Sequence, residues 1–225
     1  MALFPMFLKL EGRTALVVGA GRVGEAKIRS LLRAGASVRV VAPRATAHVR
    51  AWALAGRITW RERRFAAGDL RGVFLAVVAT PSPELNDRVA VLARRRRIFV
   101  NVVDDPERCD FYYPAVLRRG PLTLAISTEG HSPAFARRLR RHLERRIGTE
   151  VGIAVERLGR ERRKLFSQSI DPGKRRRLLL RLAGEISLGG EHERQGASGG
   201  CGSGRSRLVD GEGDSRDREC GSRAV

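Results

Sequence analysis

Short apolar stretches alternate with helix-like segments along the first half of the chain. Apolar runs that are nearly unbroken and rich in Val are typical of parallel strands covered on both faces. Strands are predicted at Ala15–Val18, Ser37–Val41, Ile58–Trp60, Val73–Ala79 and Ile98–Val103. Helices are predicted at Glu25–Ala34, Ala45–Ala55 and Pro83–Arg96. Strands that alternate with helices of this length predict an α/β fold with a doubly wound parallel sheet.

The pattern changes after the fifth predicted strand. Two extended segments, Tyr113–Leu117 and Leu122–Ser127, flank the turn signal Arg-Arg-Gly-Pro and predict an antiparallel pair. Ser132 and Pro133 are of the types favoured at a helix N-cap and in its first turn, and they predict a helix to about Arg146. Further helices are predicted over Glu150–Leu165 and Pro172–Ile186.

The segment from Ser187 onward is rich in Gly, Ser, Arg and Glu and has almost no apolar residues. Such a segment cannot bury enough surface to offset its ordering entropy, so we predict that it is disordered. The pattern therefore divides the chain into four parts. They are an α/β domain at 1–112, a small α+β domain at 113–148, a helical part at 149–186 and a disordered tail at 187–225.

The first predicted strand runs into a turn with glycines at positions 19, 21 and 24. In a strand–turn–helix unit, the first glycine permits the turn, the second lets a pyrophosphate approach the backbone, and the third lets the helix pack closely. The helix N-terminus adds free N–H groups and a positive dipole. The motif predicts a dinucleotide site in a Rossmann-like sheet, and a glycine turn without a ligand is the alternative.

The chain carries 44 Lys and Arg residues against 24 Asp and Glu, a formal net charge of +20. Such a balance can indicate nucleic-acid binding. However, the basic residues are nearly all arginine and are spread over the chain, with 20 against 10 acidic residues in 1–112 and 16 against 6 in 137–186. Dense groups such as Arg94–Arg97 and Lys174–Arg177 are most often solvated faces, although they can also attract an acidic ligand. We therefore expect no nucleic-acid partner.

The cysteines Cys109, Cys201 and Cys220 are few and irregularly spaced. This spacing predicts neither a disulfide framework nor a metal site and is typical of a reducing cytoplasm. With no apolar run of membrane-spanning length, no membrane segment is expected. The N-terminal residues lack the pattern of a signal peptide, so none is expected.

Four blocks of the chain together resemble one known family. They are Phe4–Pro43, Ala79–Thr80, Asn101–Asp104 and Phe111–Arg140. In this order and spacing, over about residues 4–165, the chain is similar to the precorrin-2 dehydrogenases of sirohaem synthesis, both the stand-alone enzymes and the fused dehydrogenase/ferrochelatase modules.

The resemblance implies an NAD-binding domain at 1–112, a dimerisation domain at 113–148 and a helical C-terminal part. The implied reaction is NAD-dependent oxidation of precorrin-2 to sirohydrochlorin by a homodimer, with a product that feeds sirohaem or corrinoid synthesis. Some members of the family also insert ferrous iron into sirohydrochlorin. The methyltransferase domain of the fused members is not expected in this chain.

Asp104 follows the fifth predicted strand, at the edge of the sheet where ligands bind in open α/β folds. Hydride removal from a macrocycle is accompanied by proton loss, so a carboxylate beside the ring could act as a general base. The resemblance matches Asp104 to the family's catalytic aspartate, which has also been assigned to metal insertion. A turn-capping role beside Asp105 and Pro106 is the alternative.

The expected cofactor site lies around the glycine turn. The residues that would line the pyrophosphate are Gly19, Gly21, Arg22, Val23 and Gly24. Pro43 and Arg44 would border the adenosine, and Thr80 would border the nicotinamide. No carboxylate ends the second strand, where one usually holds the ribose hydroxyls, and an arginine there could favour a 2′-phosphate. Because the family it resembles is NAD-dependent, NAD is the expected cofactor.

Ser127, Thr128 and His131 lie in the polar segment before the helix at Ser132. They could contact the carboxylates of a tetrapyrrole or a partner subunit, and an ordinary loop is the alternative. No metal-ligand cluster is predicted. The competing hypothesis for the whole chain is a non-catalytic NAD-sensing or nucleic-acid-associated module. The Asn101–Asp104 and Ser127–Pro133 blocks favour the enzyme, because a sensor has no need of them.

Overall fold

The computed structural model describes residues 3–186, and the predicted disordered tail lies outside them. Five parallel strands form one sheet. They are β1 (Thr14–Ala20), β2 (Ser37–Ala45), β3 (Thr59–Arg61), β4 (Leu75–Val78) and β5 (Phe99–Val102). Their order across the sheet is β3-β2-β1-β4-β5, which runs outward in both directions from β1. The predicted Rossmann-like, doubly wound α/β fold is therefore confirmed.

Helices cover both faces of this sheet. They are α1 (Arg22–Arg33), α2 (Ala47–Leu54) and α3 (Pro83–Arg95), and a 3-10 turn lies at Ala67–Leu70. Val17 of β1 is buried on one face with Ile28 of α1, whereas Leu16 is buried on the other with Val89 of α3. Adjacent residues of one strand thus serve two cores, which explains why its sequence is apolar without alternation.

The second part of the chain is a hairpin with three helices. The strands are β6 (Ala115–Arg119) and β7 (Leu122–Ile126), and the helices are α4 (Pro133–Arg146), α5 (Thr149–Ser167) and α6 (Pro172–Gly184). The predicted antiparallel pairing is present. Arg119 joins the hairpin to α4, because its guanidinium donates to the carbonyls of Glu144 and Ile147 at 2.8 Å. Gly152 permits close approach of α5, since a Cβ there would lie 2.6 Å from the carbonyl oxygen of Arg119.

Two predicted element boundaries near the glycine turn were wrong. The first helix begins at Arg22 rather than Glu25, which brings its first turn directly against the glycines. The second strand does not end at Val41 but runs to Ala45. Pro43 is tolerated because the pairing of β2 with β1 is interrupted between Val41 and Ala45, so no ladder hydrogen bond requires the missing N–H.

Candidate functional site

Two glycines of the turn after β1 allow backbone segments to meet at close range. Gly19 has a φ of 99°, and a Cβ there would overlap the carbonyl oxygen of Ala79 at the end of β4. A Cβ at Gly24 would overlap the carbonyl oxygen of Gly19. Gly21 differs, because a Cβ there would meet nothing within 4 Å. The turn is therefore closed towards the fold and open above Gly21.

Helix α1 begins beside this opening without a side-chain cap. Its N-cap is Gly21, whereas α2 and α3 begin with the hydroxyls of Thr46 and Ser82, which accept hydrogen bonds from backbone amides at 3.3 Å. The first-turn amides of a helix have no intrahelical acceptor. Together with the open space above Gly21, they fit an anionic group such as a pyrophosphate.

A cavity of about 930 Å³ lies at the carboxyl ends of β1, β2 and β4. We call it the larger cavity, to distinguish it from a second cavity beside the β6–β7 hairpin. This is the point where the strand order reverses and where open α/β sheets bind ligands. Its walls are the glycine turn, the end of β2, two residues after β3 and the start of α3. They comprise Val18–Gly21, Val41–Thr46, Arg64, Phe65, Ala79–Ser82, Glu84, Leu85 and Arg88.

The larger cavity brings together most of the residues expected to bind a cofactor. Those that line it are Gly19, Gly21, Pro43, Arg44 and Thr80. The rest, Arg22, Val23 and Gly24, form the first turn of α1, with Arg22 and Val23 exposed and Gly24 buried. The Thr80 hydroxyl donates to Asn86 Oδ1 at 2.6 Å, so α3 holds its orientation.

Sequence reasoning missed Arg64, Phe65, Glu84 and Arg88 as lining residues. A usable signal existed for the first two, because they follow the carboxyl end of β3, the edge where open α/β sheets bind ligands. The pKa of Glu84 is lowered by a hydrogen bond from its own backbone N–H and by one from the Ser82 hydroxyl. The Glu84 carboxylate is therefore engaged in hydrogen bonds at the N-terminus of α3.

Asp104 lies in the turn directly after β5, at the same edge of the sheet. It is exposed and has a φ of 61°, a left-handed conformation that Asp adopts more readily than most residues and that often marks functional sites. Burial lowers the pKa of Lys27 on α1, and the charge of Asp104 opposes that shift. Lys27 Nζ also lies 3.6 Å from the centroid of the Tyr113 ring, whose burial raises the pKa of Tyr113 to about 12.

The hydrogen bonds that shape this turn go to the neighbours of Asp104. Asp105 caps the 3-10 turn at Pro106–Arg108 by accepting from the Arg108 amide at 3.3 Å, and it pairs with the Arg108 side chain. Asn101 donates to the Phe111 carbonyl at 2.8 Å and so fixes the returning loop. Among residues 3–186, the hydrogen bonds of this turn go to the Asp105 carboxylate and none reaches the Asp104 carboxylate. A turn-capping role therefore does not account for the presence of Asp104.

Ser127 and Thr128 line a smaller cavity of about 300 Å³ between the hairpin and α4, whereas His131 is exposed and lies outside its lining. Both hydroxyls also shape the loop. Ser127 Oγ accepts from the Glu129 amide and Thr128 Oγ1 from the Ser132 amide, each at 3.1 Å. The structure therefore places Ser127 and Thr128, but not His131, in the lining of this smaller cavity.

The described part of the chain, residues 3–186, contains neither a metal-binding cluster nor a membrane-spanning helix. No group of three or more His, Cys, Asp and Glu residues within 3–186 is arranged to hold a metal ion. Over the same residues, every helix is too short or too polar to cross a bilayer.

Two family models match successive parts of the chain. Residues 6–115 match a model for NAD(P)-binding domains. Residues 119–146 match a model for the central part of sirohaem biosynthesis proteins. The boundary between them falls at the start of the β6–β7 hairpin.

The curated relatives are sirohaem synthases. The chain is 40% identical over 189 residues to siroheme synthase 3 of Aeromonas hydrophila, covering 84% of this chain and 40% of that protein. It is 43% identical over 162 residues to the siroheme synthase of Neisseria meningitidis serogroup B, covering 72% of this chain and 34% of that protein. The chain thus spans about two fifths or less of the length of these relatives.

A solved structure matches over most of both chains. It is that of SirC, a precorrin-2 dehydrogenase, with a TM-score of 0.71 and 28% sequence identity, covering 80% of this chain and 89% of that one. The two family models, the curated relatives and this structural match all indicate the same family. The chain belongs to the family of precorrin-2 dehydrogenases and sirohaem synthases.

Proposed function

We propose that the chain is an NAD-dependent precorrin-2 dehydrogenase, which oxidises precorrin-2 to sirohydrochlorin in sirohaem or corrinoid synthesis. The observation that carries this proposal is the position of Asp104 after β5, at the sheet edge that also holds the glycine turn. A non-catalytic dinucleotide sensor needs the turn but not the carboxylate. The likeness to a precorrin-2 dehydrogenase over 89% of that chain supports the same reading.

The residues of this chain have distinct roles in the proposed reaction. The first-turn amides of α1 and the backbone at Gly21 bind the pyrophosphate, with Arg22, Val23 and Gly24 forming that turn. Pro43 and Arg44 border the adenosine, and Thr80 borders the nicotinamide. The bound dinucleotide supplies the hydride acceptor.

Asp104 is proposed to accept the proton that the macrocycle loses with the hydride. The oxidation removes two electrons and one proton as hydride, and a second proton leaves as the new double bond forms. The exposed carboxylate is reachable by a large substrate, and it is not engaged in capping its own turn. From Asp104 the proton passes to water.

Ser127, Thr128 and His131 are proposed to contact substrate carboxylates at the smaller cavity and its margin. The Arg137 side chain on α4 lines the same cavity, and an arginine there suits carboxylate recognition. The cavity is too small for a whole tetrapyrrole, so it would receive a side chain of the ring.

The test of the proposed function is turnover of precorrin-2 with NAD+ by the purified protein, followed through the absorbance of sirohydrochlorin. Asp104→Asn, which tolerates the left-handed backbone, should lower kcat by about a hundredfold or more and leave the dinucleotide Kd unchanged. Glu107→Gln is the matched control, since Glu107 is exposed in the same loop. Full activity of Asp104→Asn would refute the role of Asp104.

Insertion of ferrous iron into sirohydrochlorin is a second candidate. It is favoured by the curated relatives, which carry the name siroheme synthase and include this region of sequence. Iron would be a substrate here. An assay of sirohaem formation from sirohydrochlorin and Fe²⁺ decides it, because the protein must exceed the uncatalysed rate.

We also propose a homodimer in a reducing cytoplasm. Phe135 on α4 is 54% exposed and Ile153 on α5 is 65% exposed, so the second part of the chain offers apolar side chains to a second copy. The few, irregularly spaced cysteines Cys109, Cys201 and Cys220 support the reducing compartment.

A further inference from the structure

The end of β2 lacks the carboxylate of an ordinary NAD site and carries extra residues relative to β1. Opposite the glycine turn, β2 advances four residues from Val41 to Ala45, whereas β1 advances two from Val18 to Ala20. The extra length carries Pro43 and Arg44, both exposed and both lining the larger cavity. This is the position where the ribose of the adenosine is bound in dinucleotide folds.

A second arginine reaches the larger cavity from the neighbouring strand. Arg64 follows β3, which pairs with β2, and the buried Phe65 anchors it. Its sequence neighbours Arg61 and Arg63 are committed elsewhere, to the buried carboxylate of Asp69 at 2.5 and 2.6 Å. Of the three arginines in this segment, Arg64 is therefore the one whose guanidinium is available to a ligand in the larger cavity.

The carboxylates closest to this edge are engaged. Glu25, in the first turn of α1, pairs with Arg29 at 2.7 Å and His48 at 3.3 Å. Its pKa is lowered, first by a hydrogen bond from the Thr46 hydroxyl. Glu84 is bound by the Ser82 hydroxyl at 2.8 Å. Neither carboxylate is left to hold the two ribose hydroxyls, which is the arrangement that selects NAD over its phosphorylated form.

The larger cavity consequently has a positive lining. Its charged lining residues are three arginines and one carboxylate, namely Arg44, Arg64, Arg88 and Glu84. Within residues 3–186, none of the three guanidinium groups has a carboxylate at ion-pairing distance. A planar guanidinium that is not already paired matches the oxygens of a phosphate by charge and geometry.

We propose that the larger cavity accepts a dinucleotide with a 2′-phosphate, NADP+, at least as tightly as NAD+, and that Arg44 and Arg64 recognise that phosphate. The inference rests on the proposed function, because it assumes that a nicotinamide dinucleotide binds here. It concerns specificity at the adenosine end and leaves the role of Asp104 unchanged.

The experiment is calorimetric titration of the full chain, without tetrapyrrole, using NAD+, NADP+ and the fragment pair 5′-AMP and 2′,5′-ADP. The fragment pair differs only in the 2′-phosphate. NADP+ should bind with a Kd no higher than that of NAD+, and 2′,5′-ADP should bind more tightly than 5′-AMP. The advantage of the phosphorylated ligands should shrink as salt is raised, since exposed charges are screened.

Arg44→Ala and Arg64→Ala should each weaken NADP+ binding by about tenfold or more, and should weaken NAD+ binding less, because NAD+ lacks the 2′-phosphate. Arg50→Ala is the matched control, because Arg50 is exposed on α2 and outside the cavity lining. NAD+ binding that persists in the variants also shows that they are folded, so a larger loss of NADP+ binding cannot come from unfolding.

Each outcome decides the matter. Tight NADP+ binding that falls selectively in Arg44→Ala or Arg64→Ala supports the inference. NADP+ binding that is weaker than NAD+ binding overturns the inference and leaves the proposed dehydrogenase intact. Tight NADP+ binding that neither variant reduces overturns the assignment to these two arginines. Absence of binding by any of the four ligands overturns the inference and the proposed function together.

Discussion

Gly21 and Gly24 stand three positions apart in one motif, yet the backbone constrains them differently. A Cβ at Gly24 would overlap the carbonyl of Gly19, whereas a Cβ at Gly21 would enter the open space of the larger cavity. Gly21 has a φ of −74°, which alanine adopts freely. Gly24 is therefore needed by the fold, whereas Gly21 leaves room for the proposed dinucleotide.

This difference predicts opposite phenotypes for two single-methyl substitutions. Gly24→Ala should lower the free energy of unfolding by about 1–3 kcal/mol, because the backbone must shift to relieve the overlap. Gly21→Ala should leave stability nearly unchanged and weaken dinucleotide binding by about tenfold or more, since the methyl keeps the pyrophosphate from the backbone amides. Urea denaturation and calorimetric titration separate the two. Equal destabilisation by both variants would contradict the assignment.

At this scale the sequence predicted the residues whose types are unusual. The glycines were predicted from their spacing after a buried strand and Arg44 from the missing carboxylate at the end of the second strand, whereas Asp104 was singled out by its place after the fifth strand together with the family resemblance. Arg64 and Arg88 were not predicted as lining residues. Arginine is so common in this chain that only their position in the fold distinguishes these two from the others. Whether an arginine is paired or free depends on tertiary contacts, and no local pattern reports these.

Among the secondary-structure elements, β2 and β3 show where local signals mislead. Proline usually ends a strand, and Pro43 led to a predicted end at Val41. The strand continues because the register shift against β1 removes the need for an N–H at that position. The segment after β3 has the composition of a solvated loop, yet it contains the fully buried carboxylate of Asp69. Both features depend on neighbouring strands that are distant in sequence.

Asp69 provides a pH-dependent link between β3 and the 3-10 turn at Ala67–Leu70. Burial alone would raise the pKa of this carboxyl, but hydrogen bonds from Arg63, the Ala66 amide and Arg61 outweigh it and lower the pKa from 3.8 to about 2. A carboxyl with a lowered pKa in the folded state stabilises the fold above its unfolded pKa. That contribution is lost as pH falls from about 4 to about 2.

Chemical denaturation should therefore show a loss of about 2 kcal/mol attributable to Asp69 between about pH 6 and about pH 2. Asp69→Asn should be less stable at about pH 6, because two guanidinium groups lose their counter-charge, and its stability should vary less with pH. Glu62→Gln is the control, since Glu62 is exposed between the same two arginines. An Asp69→Asn variant with the pH dependence of the parent protein would exclude this link.

Over the whole molecule, the α/β sheet could be predicted from sequence because β1, β2, β4 and β5 each carry their own apolar signal. The arrangement of the second part could not, since its hairpin and helices meet through a glycine contact and backbone carbonyls rather than through long apolar runs. Both parts of the chain carry an excess of basic residues. Residues 1–112 carry 20 basic and 10 acidic residues, and residues 113–186 carry 18 and 7. Each part therefore repels a second copy of the molecule at long range.

This repulsion opposes the proposed dimer, and salt relieves it. Two molecules with a formal charge of +20 repel each other over a Debye length of about 10 Å at 0.1 M salt, whereas contact between apolar side chains is not screened. Raising NaCl from about 0.05 M to about 0.5 M should therefore shift the monomer–dimer equilibrium towards the dimer, as measured by sedimentation equilibrium.

The exposed apolar side chains should decide which face associates. Phe135→Glu should raise the dimer dissociation constant at every salt concentration, because it places a carboxylate on the proposed interface. Leu54→Glu is the matched control, since Leu54 is 90% exposed on α2 in the other part of the chain, and it should leave the constant unchanged. A protein that stays monomeric at all salt concentrations would contradict the dimer. Equal weakening by both variants would instead place the contact outside α4.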